Sequence, residues 1–204
     1  MSTRQSKFTL CVVGRSGSGK GKQADRLLAL LRGRAHHMET GRFLRDIIHT
    51  RINETTRRAR RFMGQGRLMP LWFSSYTWLR ELIERGKADT HLLFDGAPRR
   101  VHEAEILDDV LAWHERSLSL CIYIDVSRST AAKRLRERGR HDDTPTAIKN
   151  RMDYFSKEVL PVISYYKKRH RLIHIDGEQP IENVCKDIVA SLSRRLGPGW
   201  RRLT

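Results

Sequence analysis

The sequence predicts a three-layer α/β fold in which a five-stranded parallel sheet is covered by helices on both faces. Two patterns predict it. Short apolar runs alternate with longer segments of helical periodicity, and a glycine-rich turn joins the first run to the first helix. Strands separated in sequence by helices pair in parallel and are buried on both faces, so they are nearly continuous apolar runs. We expect strands at residues 7–13, 36–38, 91–94, 118–126 and 172–175.

The segments between these runs have the periodicity of helices. In the first of them, Ala24, Leu27 and Leu31 fall on one helical face. The expected helices are residues 20–31, 41–51, 53–62, 71–85, 101–114, 127–137, 143–168 and 180–196. We expect the long seventh helix to bend at Pro161, because proline removes a backbone donor. The tail from Trp200 onward is expected to fray.

The absence of repeats and linkers predicts a single domain over residues 1–204. Two irregular segments, at about 36–70 and about 138–143, are predicted as insertions into the α/β core. The longest apolar runs are about five or six residues, far short of the roughly 20 that a membrane helix needs. A membrane-spanning protein is therefore excluded.

The charge indicates an anionic partner. Forty basic residues, 30 of them arginine, oppose 23 acidic ones and give a net charge of +17. A nucleic acid, a membrane surface or a phosphorylated small molecule would each suit this excess. The cysteines Cys11, Cys121 and Cys185 are odd in number and widely spaced, which excludes a zinc framework and fits a reducing, cytoplasmic location. We expect all three to be buried thiols.

The strongest motif is a phosphate-binding loop at residues 14–21, with the sequence GRSGSGKG. It follows an expected strand and opens an expected helix, which is the context that a G-x-x-x-x-G-K loop requires. Its backbone N–H groups and the helix N-terminus attract phosphate, and Lys20 reaches the β- and γ-phosphates. Gly21 stands where a hydroxyl residue would ligate Mg²⁺, so Mg²⁺ is expected on the nucleotide phosphates and waters, with Asp95 as the nearest carboxylate.

Beyond this loop, the chain resembles the adenylate kinase family of nucleoside monophosphate kinases. Four further motifs occur in the family's order. They are TGRFLR at 40–45, GRLMP at 66–70, DGAPR at 95–99 and RGRHDD at 138–143, the last followed by Arg151. The resemblance implies a P-loop kinase fold with a helical lobe for the acceptor nucleotide at about 36–70 and a short lid at about 138–143. It also implies transfer of the γ-phosphoryl of MgATP to a nucleoside monophosphate, with AMP as the expected acceptor, by a monomer.

The resemblance also assigns roles to individual residues. The catalytic positions are Lys20, Arg99, Arg140 and Arg151. The positions for ATP are Gly17, Ser18, Gly19, Lys20, Gly21, Lys22, Arg134 and Arg138. The positions for the acceptor are Thr40, Arg45, Met69, Arg99 and Glu103, and the metal position, through water, is Asp95. Guanidinium groups suit these roles because they remain charged and bind phosphate bidentately. Asp142 and Asp143 are expected to orient lid arginines or to cap the next helix.

Glu103 leaves the acceptor base open. The family has glutamine at this position, whose amide offers one donor and one acceptor to adenine, whereas ionised glutamate offers acceptors only. Glu103 would therefore suit the donor-rich edge of guanine or cytosine. Alternatively, Glu103 faces solvent or pairs with Arg100, and the base is read by the backbone near Met69.

Other departures from the family leave rival functions open. Lys22 replaces threonine after the loop, where it adds charge near the donor phosphates or points to solvent. Arg42 replaces the aspartate of the T-G-D motif. The run at 57–61 suggests a nucleic-acid surface, although such runs are more often solvated faces. The rivals are a kinase for a non-adenine nucleotide, a kinase for a non-nucleotide alcohol, and a nucleotide- or RNA-binding relative without turnover.

Overall fold

The computed structural model describes residues 7–87 and 89–201 and contains the expected five-stranded parallel sheet. The strand order is β2-β3-β1-β4-β5, so the first strand lies at the centre and all neighbours pair in parallel. The strands are β1 (Thr9–Gly14), β2 (Ala35–Glu39), β3 (His91–Asp95), β4 (Leu120–Asp125) and β5 (Leu172–Asp176). The carboxyl ends of all five strands therefore meet at one edge of the sheet.

The helices follow the periodic segments closely. They are α1 (Lys20–Leu31), α2 (Thr40–Thr50), α3 (Glu54–Gly64), α4 (Leu71–Arg85), α5 (Val101–Trp113), α6 (Arg128–Arg138), α7 (Pro145–Tyr154), α8 (Leu160–Lys168), α9 (Ile181–Leu196) and α10 (Pro198–Arg201). Ser127 caps α6, since its side chain accepts a hydrogen bond from the Thr130 amide. No helix within the described ranges combines the length and the apolar character needed to cross a membrane.

The sheet is buried on both faces, which confirms the three-layer architecture. On one face, Cys11 and Val13 of β1 pack with apolar residues of α4, α5 and α8. On the other face, Leu10 and Val12 pack with α1 and α9. The alternation along β1 sends successive side chains into different cores, and this explains why the strand is apolar at every position.

The segment after β2 forms a helical lobe with its own small core. Its buried residues are Ile47, Ile48, Ala59, Met69 and Phe73. The lobe begins at the start of α2 rather than at about residue 36, because residues 35–39 pair with β3 as part of the sheet. The lobe is therefore an insertion between β2 and α4.

The lobe contacts α7, the helix after the lid, and the closest approach is at Gly66. Gly66 has a φ of +66°, and a Cβ there would lie 2.3 Å from the Ala147 carbonyl oxygen of α7. Asn150 Nδ2 donates to the Gln65 carbonyl at 2.9 Å beside this contact. Only glycine permits both the backbone conformation and the close approach.

The long helix expected at 143–168 is interrupted as well as bent. A π-helical turn at Phe155–Val159 separates α7 from α8, immediately before Pro161. The Leu160 amide bonds to the Phe155 carbonyl five residues back, which is the hydrogen-bond pattern of a π turn. The cap of α7 is Thr144, whose hydroxyl accepts from the Ala147 amide, and not an aspartate of the lid.

Two burial expectations were wrong. Cys185 is half-buried on α9, whereas Cys11 and Cys121 are fully buried as expected. Trp200 is fully buried and packs near Phe8 with ring centroids 5.6 Å apart, because the short helix α10 folds the tail back onto the sheet. Arg202 lies outside the described residues.

Candidate functional site

The phosphate loop lies at the carboxyl end of the central strand. Residues 14–19 connect β1 to α1, and the left-handed Gly19 stands at the N-cap of that helix. Gly17 has a φ of +89°, and a Cβ there would lie 2.4 Å from the Ala131 carbonyl oxygen of α6. The loop's curvature therefore depends on this glycine, since any side chain would clash with backbone. Ser18 is buried, and its hydroxyl has no hydrogen-bond partner among the described residues.

Lys20 lies against the loop that it follows. Its Nζ donates to the carbonyl oxygens of Gly14 at 3.0 Å and Arg15 at 2.7 Å. Burial lowers the pKa of Lys20 to about 8, Asp95 opposes this shift, and the charges of Arg99 and Arg138 add to it. The ammonium is therefore destabilised in the free protein, and an anionic ligand in the loop would relieve this cost.

Asp95 lies beside the phosphate loop. It ends β3, and its Oδ2 lies 3.4 Å from the position that a Cβ would occupy on Gly21. The carboxylate thus approaches the position where a loop hydroxyl would otherwise stand. Within the described ranges, no side chain donates a hydrogen bond to it. An unengaged hard oxygen beside a phosphate loop fits Mg²⁺ held through water.

The lid carries a network of two arginines and two aspartates. Arg138 donates from Nε at 2.8 Å and from Nη2 at 2.7 Å to the two oxygens of Asp143. Arg151 donates to both Asp143 and Asp142, the latter at 2.5 Å. Burial raises the pKa of Asp143, but the two guanidinium groups outweigh it and hold the pKa below its usual value. The expectation that these aspartates orient lid arginines is met by the geometry.

The other residues expected to bind ATP form no side-chain hydrogen bond to the loop within the described ranges. Arg134 Nη2 donates to the Gly177 carbonyl at 3.1 Å, which ties α6 to the turn after β5. Lys22 and Arg140 are both exposed, and the described structure gives their side chains no ion pair or hydrogen bond. The structure therefore does not bring Arg140 to Lys20.

The expected acceptor residues lie at the same edge of the sheet, on the β2–β3 side. Arg99 follows β3, and its Nε donates to the Gly96 carbonyl at 2.6 Å. Arg45 of α2 donates to Glu39 at 3.1 Å and is about one-third exposed (37%). Thr40 begins α2 and is buried, with a hydroxyl that finds no partner in the described part of the chain.

Glu103 does not face solvent, and it does not pair with Arg100. It is 1% exposed. Its Oε2 accepts from the Arg99 amide at 2.7 Å, and its Oε1 accepts from Trp78 Nε1 at 3.2 Å. Burial raises the pKa of Glu103, and the hydrogen bonds from Arg99 and Trp78 offset this only in part. Arg100 instead donates to the Met69 carbonyl at 2.7 Å.

Sequence reasoning assigned no role to Arg15, which helps to shape the site. Arg15 of the loop donates to the Val126 carbonyl at 3.0 Å, and its guanidinium stacks over Phe155 at 4.1 Å. It also borders a cavity of about 600 Å³ at the carboxyl ends of β4 and β5. The other lining residues include Asp125, Asp176 and Glu178, whose carboxylates would repel phosphate. An arginine at the second loop position was the only available signal for the contact with Val126, the residue after β4.

Comparison with known proteins gives the same family as the motifs. The family model described as adenylate kinase matches residues 12–171. The chain is 34% identical to an adenylate kinase of Mycobacterium sp. (strain MCS), over 91% of this chain and 99% of that protein. It is 32% identical to an adenylate kinase of Leuconostoc mesenteroides, over 88% and 94%, and 30% identical to one of Corynebacterium urealyticum, over 91% and 99%. The chain therefore belongs to the adenylate kinase family and is a phosphotransferase.

Proposed function

We propose that this protein transfers the γ-phosphoryl group of MgATP to AMP and so forms two molecules of ADP. The observation that carries the proposal is the environment of Lys20. This half-buried ammonium lies in the loop's backbone cradle, and its pKa responds to Asp95, to Arg99 of the acceptor side and to Arg138 of the lid. Groups from three parts of the chain thus converge on the place where a γ-phosphate would lie.

The residues divide the work of positioning. Loop N–H groups and Lys20 hold the donor phosphates, and Lys20 exchanges its loop carbonyl partners for phosphate oxygens. Arg99 and Arg45 hold the phosphate of the acceptor. A bound Mg²⁺ would neutralise charge on the donor phosphates, with Asp95 orienting its waters. Phosphoryl transfer needs little more than alignment and charge, so no side-chain nucleophile is required.

The lid completes the site when it closes. Arg140 is exposed in this structure, whereas Arg138 and Arg151 are already oriented by Asp143. Closure would bring these guanidinium groups over the migrating phosphoryl group and exclude water, which otherwise competes with the acceptor. The short connection between α6 and α7 allows such a movement without disturbing the sheet.

A coupled assay of ADP release with MgATP and AMP tests the proposal. The wild-type protein should form ADP only when both nucleotides are present. Lys20→Ala should lower kcat at least about 10³-fold, because it removes a preorganised cation from the transition state. Lys186→Ala, which removes an exposed lysine of α9, is the control for the loss of one positive charge. Turnover of the Lys20→Ala protein at the wild-type rate, with an unchanged circular dichroism spectrum, would refute the assignment.

A further inference from the structure

The groups that could read the hydrogen-bonding edge of the acceptor base are already engaged inside this protein. Glu103 stands where the family has a base-reading glutamine, but its two oxygens accept from Arg99 N and Trp78 Nε1. With 1% of its surface exposed, the side chain has no free face to offer a ligand. Glu103 is therefore removed from recognition of the base.

The backbone alternative is blocked in a similar way. The Met69 carbonyl accepts from Arg100 Nη1 at 2.7 Å. The same guanidinium is held on its other side by Glu158 of the π-helical turn, with Arg100 Nε 3.2 Å from Glu158 Oε2. Met69 itself is 5% exposed and packs in the core of the lobe. Arg100 thus caps the carbonyl that would otherwise face an exocyclic amine.

The expected acceptor residue that keeps free hydrogen-bonding capacity does not discriminate between bases. Thr40 is buried, and its hydroxyl is without a partner in the described part of the chain. A hydroxyl rotates to donate or to accept, so it satisfies the N1 acceptor of adenine and the N1–H donor of guanine equally well. If the Thr40 hydroxyl is the only free group near the base, no base leaves a polar atom of the site unpaired. Binding of one base is then not disfavoured relative to another.

We propose that the protein selects its acceptor by the phosphate and not by the hydrogen-bonding edge of the base, with Glu103 as a positioning residue for Arg99. This inference rests on the proposed phosphoryl transfer and specifies its substrate class as nucleoside monophosphates in general. Glu103 fixes the Arg99 amide, and Gly96 fixes the Arg99 guanidinium. Trp78 connects this arrangement to α4, the helix that follows the acceptor lobe.

The test is a panel of AMP, GMP, CMP and UMP with saturating MgATP. Sites that hydrogen-bond a substrate edge reject mismatches by 10⁴ or more, whereas shape alone gives about 10- to 200-fold. We expect the four values of kcat/KM to lie within about 100-fold. A preference of 10⁴ or more for one base would overturn the proposal. Absence of transfer with every acceptor would instead refute the proposed function. Calorimetric affinities of the four nucleotides would then still decide whether the base is read.

Glu103→Gln separates positioning from base reading. The amide NH₂ must face one of the two N–H donors, so one hydrogen bond is lost and the Arg99 segment loosens. We expect KM to rise about three- to tenfold for all four acceptors alike, with kcat nearly unchanged. A base-reading role predicts unequal changes, with AMP favoured over the others. That pattern would contradict the proposal.

Two further variants make the test specific. Glu105→Gln lies on the exposed face of the same helix and should change KM less than twofold. In a Trp78→Phe background the glutamine amide no longer meets the indole N–H, so Glu103→Gln should cost less than it does in the wild type. Circular dichroism verifies that each variant is folded. Equal effects of Glu103→Gln in both backgrounds would show that the Trp78 contact has no part in positioning Arg99.

Discussion

The donor and acceptor halves of the site are held together in different ways. The phosphate loop arises within eight consecutive residues, and Lys20 rests on loop carbonyls that an incoming phosphate can replace. On the acceptor side, Arg45 and Arg99 also bond to near neighbours in the chain, but Glu103 bonds to Trp78, 25 residues away, and Arg100 bonds to Met69, 31 residues away. Local sequence therefore determines the phosphate loop, whereas contacts between distant segments determine the surroundings of Glu103 and Met69. Perturbing each half should have separable kinetic consequences.

The largest separable effect is expected from Arg99→Ala. Arg99 holds the acceptor phosphate in our proposal, so its loss should lower kcat/KM for AMP by about 10³-fold. KM for MgATP should stay within about twofold, because the loop is built independently. Steady-state kinetics with each nucleotide varied in turn gives both values, and Arg136→Ala, an exposed arginine on α6, is the control. An equal loss toward both nucleotides would mean that the two halves do not act separately.

A smaller effect, confined to the donor half, is expected from Asp143→Asn. The Asp143 side chain is 1% exposed and serves two arginines, one of them about a third exposed (35%). Loss of its charge should destabilise the fold by about 2–3 kcal/mol, the lower end for a buried pair, because solvent screens the more exposed partner. KM for MgATP should rise about tenfold while KM for AMP is retained.

Asp153→Asn is the matched control for the lid network. Asp153 pairs with Arg128 and Lys149 at 39% exposure, so its loss should lower the free energy of unfolding far less than the loss of Asp143 does. Urea denaturation measures both free energies of unfolding. If the two variants had the same free energy of unfolding, the lid network would stabilise the fold no more than a surface ion pair does.

The pH dependence of kcat/KM should differ between the two halves, because only the donor half depends on the protonation of Lys20. The expected change is up to tenfold per pH unit. The pKa of Lys20 is lowered to about 8, first by burial, so the free protein carries a charged loop lysine below pH 8 and a neutral one above it. Because kcat/KM reports the free enzyme, its value for MgATP should fall as pH rises above 8. The value of kcat should fall less, since bound phosphates favour the protonated lysine. A flat kcat/KM between pH 8 and 9.5 would contradict a depressed pKa at Lys20.

The same contrast explains what the sequence could predict. The strands, most helix limits and the loop at 14–21 were predicted because each depends on residues close together in the chain. The environment of Glu103 could not be predicted, since Trp78 lies 25 residues away and gives no pattern that marks it as a partner. The burial of Trp200 was also missed. Gly197 and Pro198 indicated that the ordered structure ends there, and no local pattern indicated that the chain returns to the sheet.

Helix caps show this limit on a smaller scale. Ser127 immediately precedes a periodic segment, and it caps the helix that this segment forms. The aspartates of the lid have the same capping chemistry, but their oxygens are taken by Arg138 and Arg151, and Thr144 caps α7 instead. The sequence left two roles open for these aspartates, which were to orient lid arginines or to cap the next helix. The tertiary ion pairs decide in favour of the first.

The smallest effect is expected at the basic run of α3, which belongs to neither half. Arg57, Arg58 and Arg61 are exposed, and they form no ion pair within the described ranges. Arg58→Gln should change kcat/KM for either nucleotide less than about twofold at 0.15 M salt, where charges beyond about 8 Å are screened. The matched variant Arg60→Gln removes a hydrogen bond of 2.6 Å to the Ile48 carbonyl and should lower stability while sparing kinetics. A salt-dependent loss of more than fivefold for Arg58→Gln would instead mean that this surface steers nucleotides toward the acceptor half, and the excess of positive charge would then belong to the catalytic function.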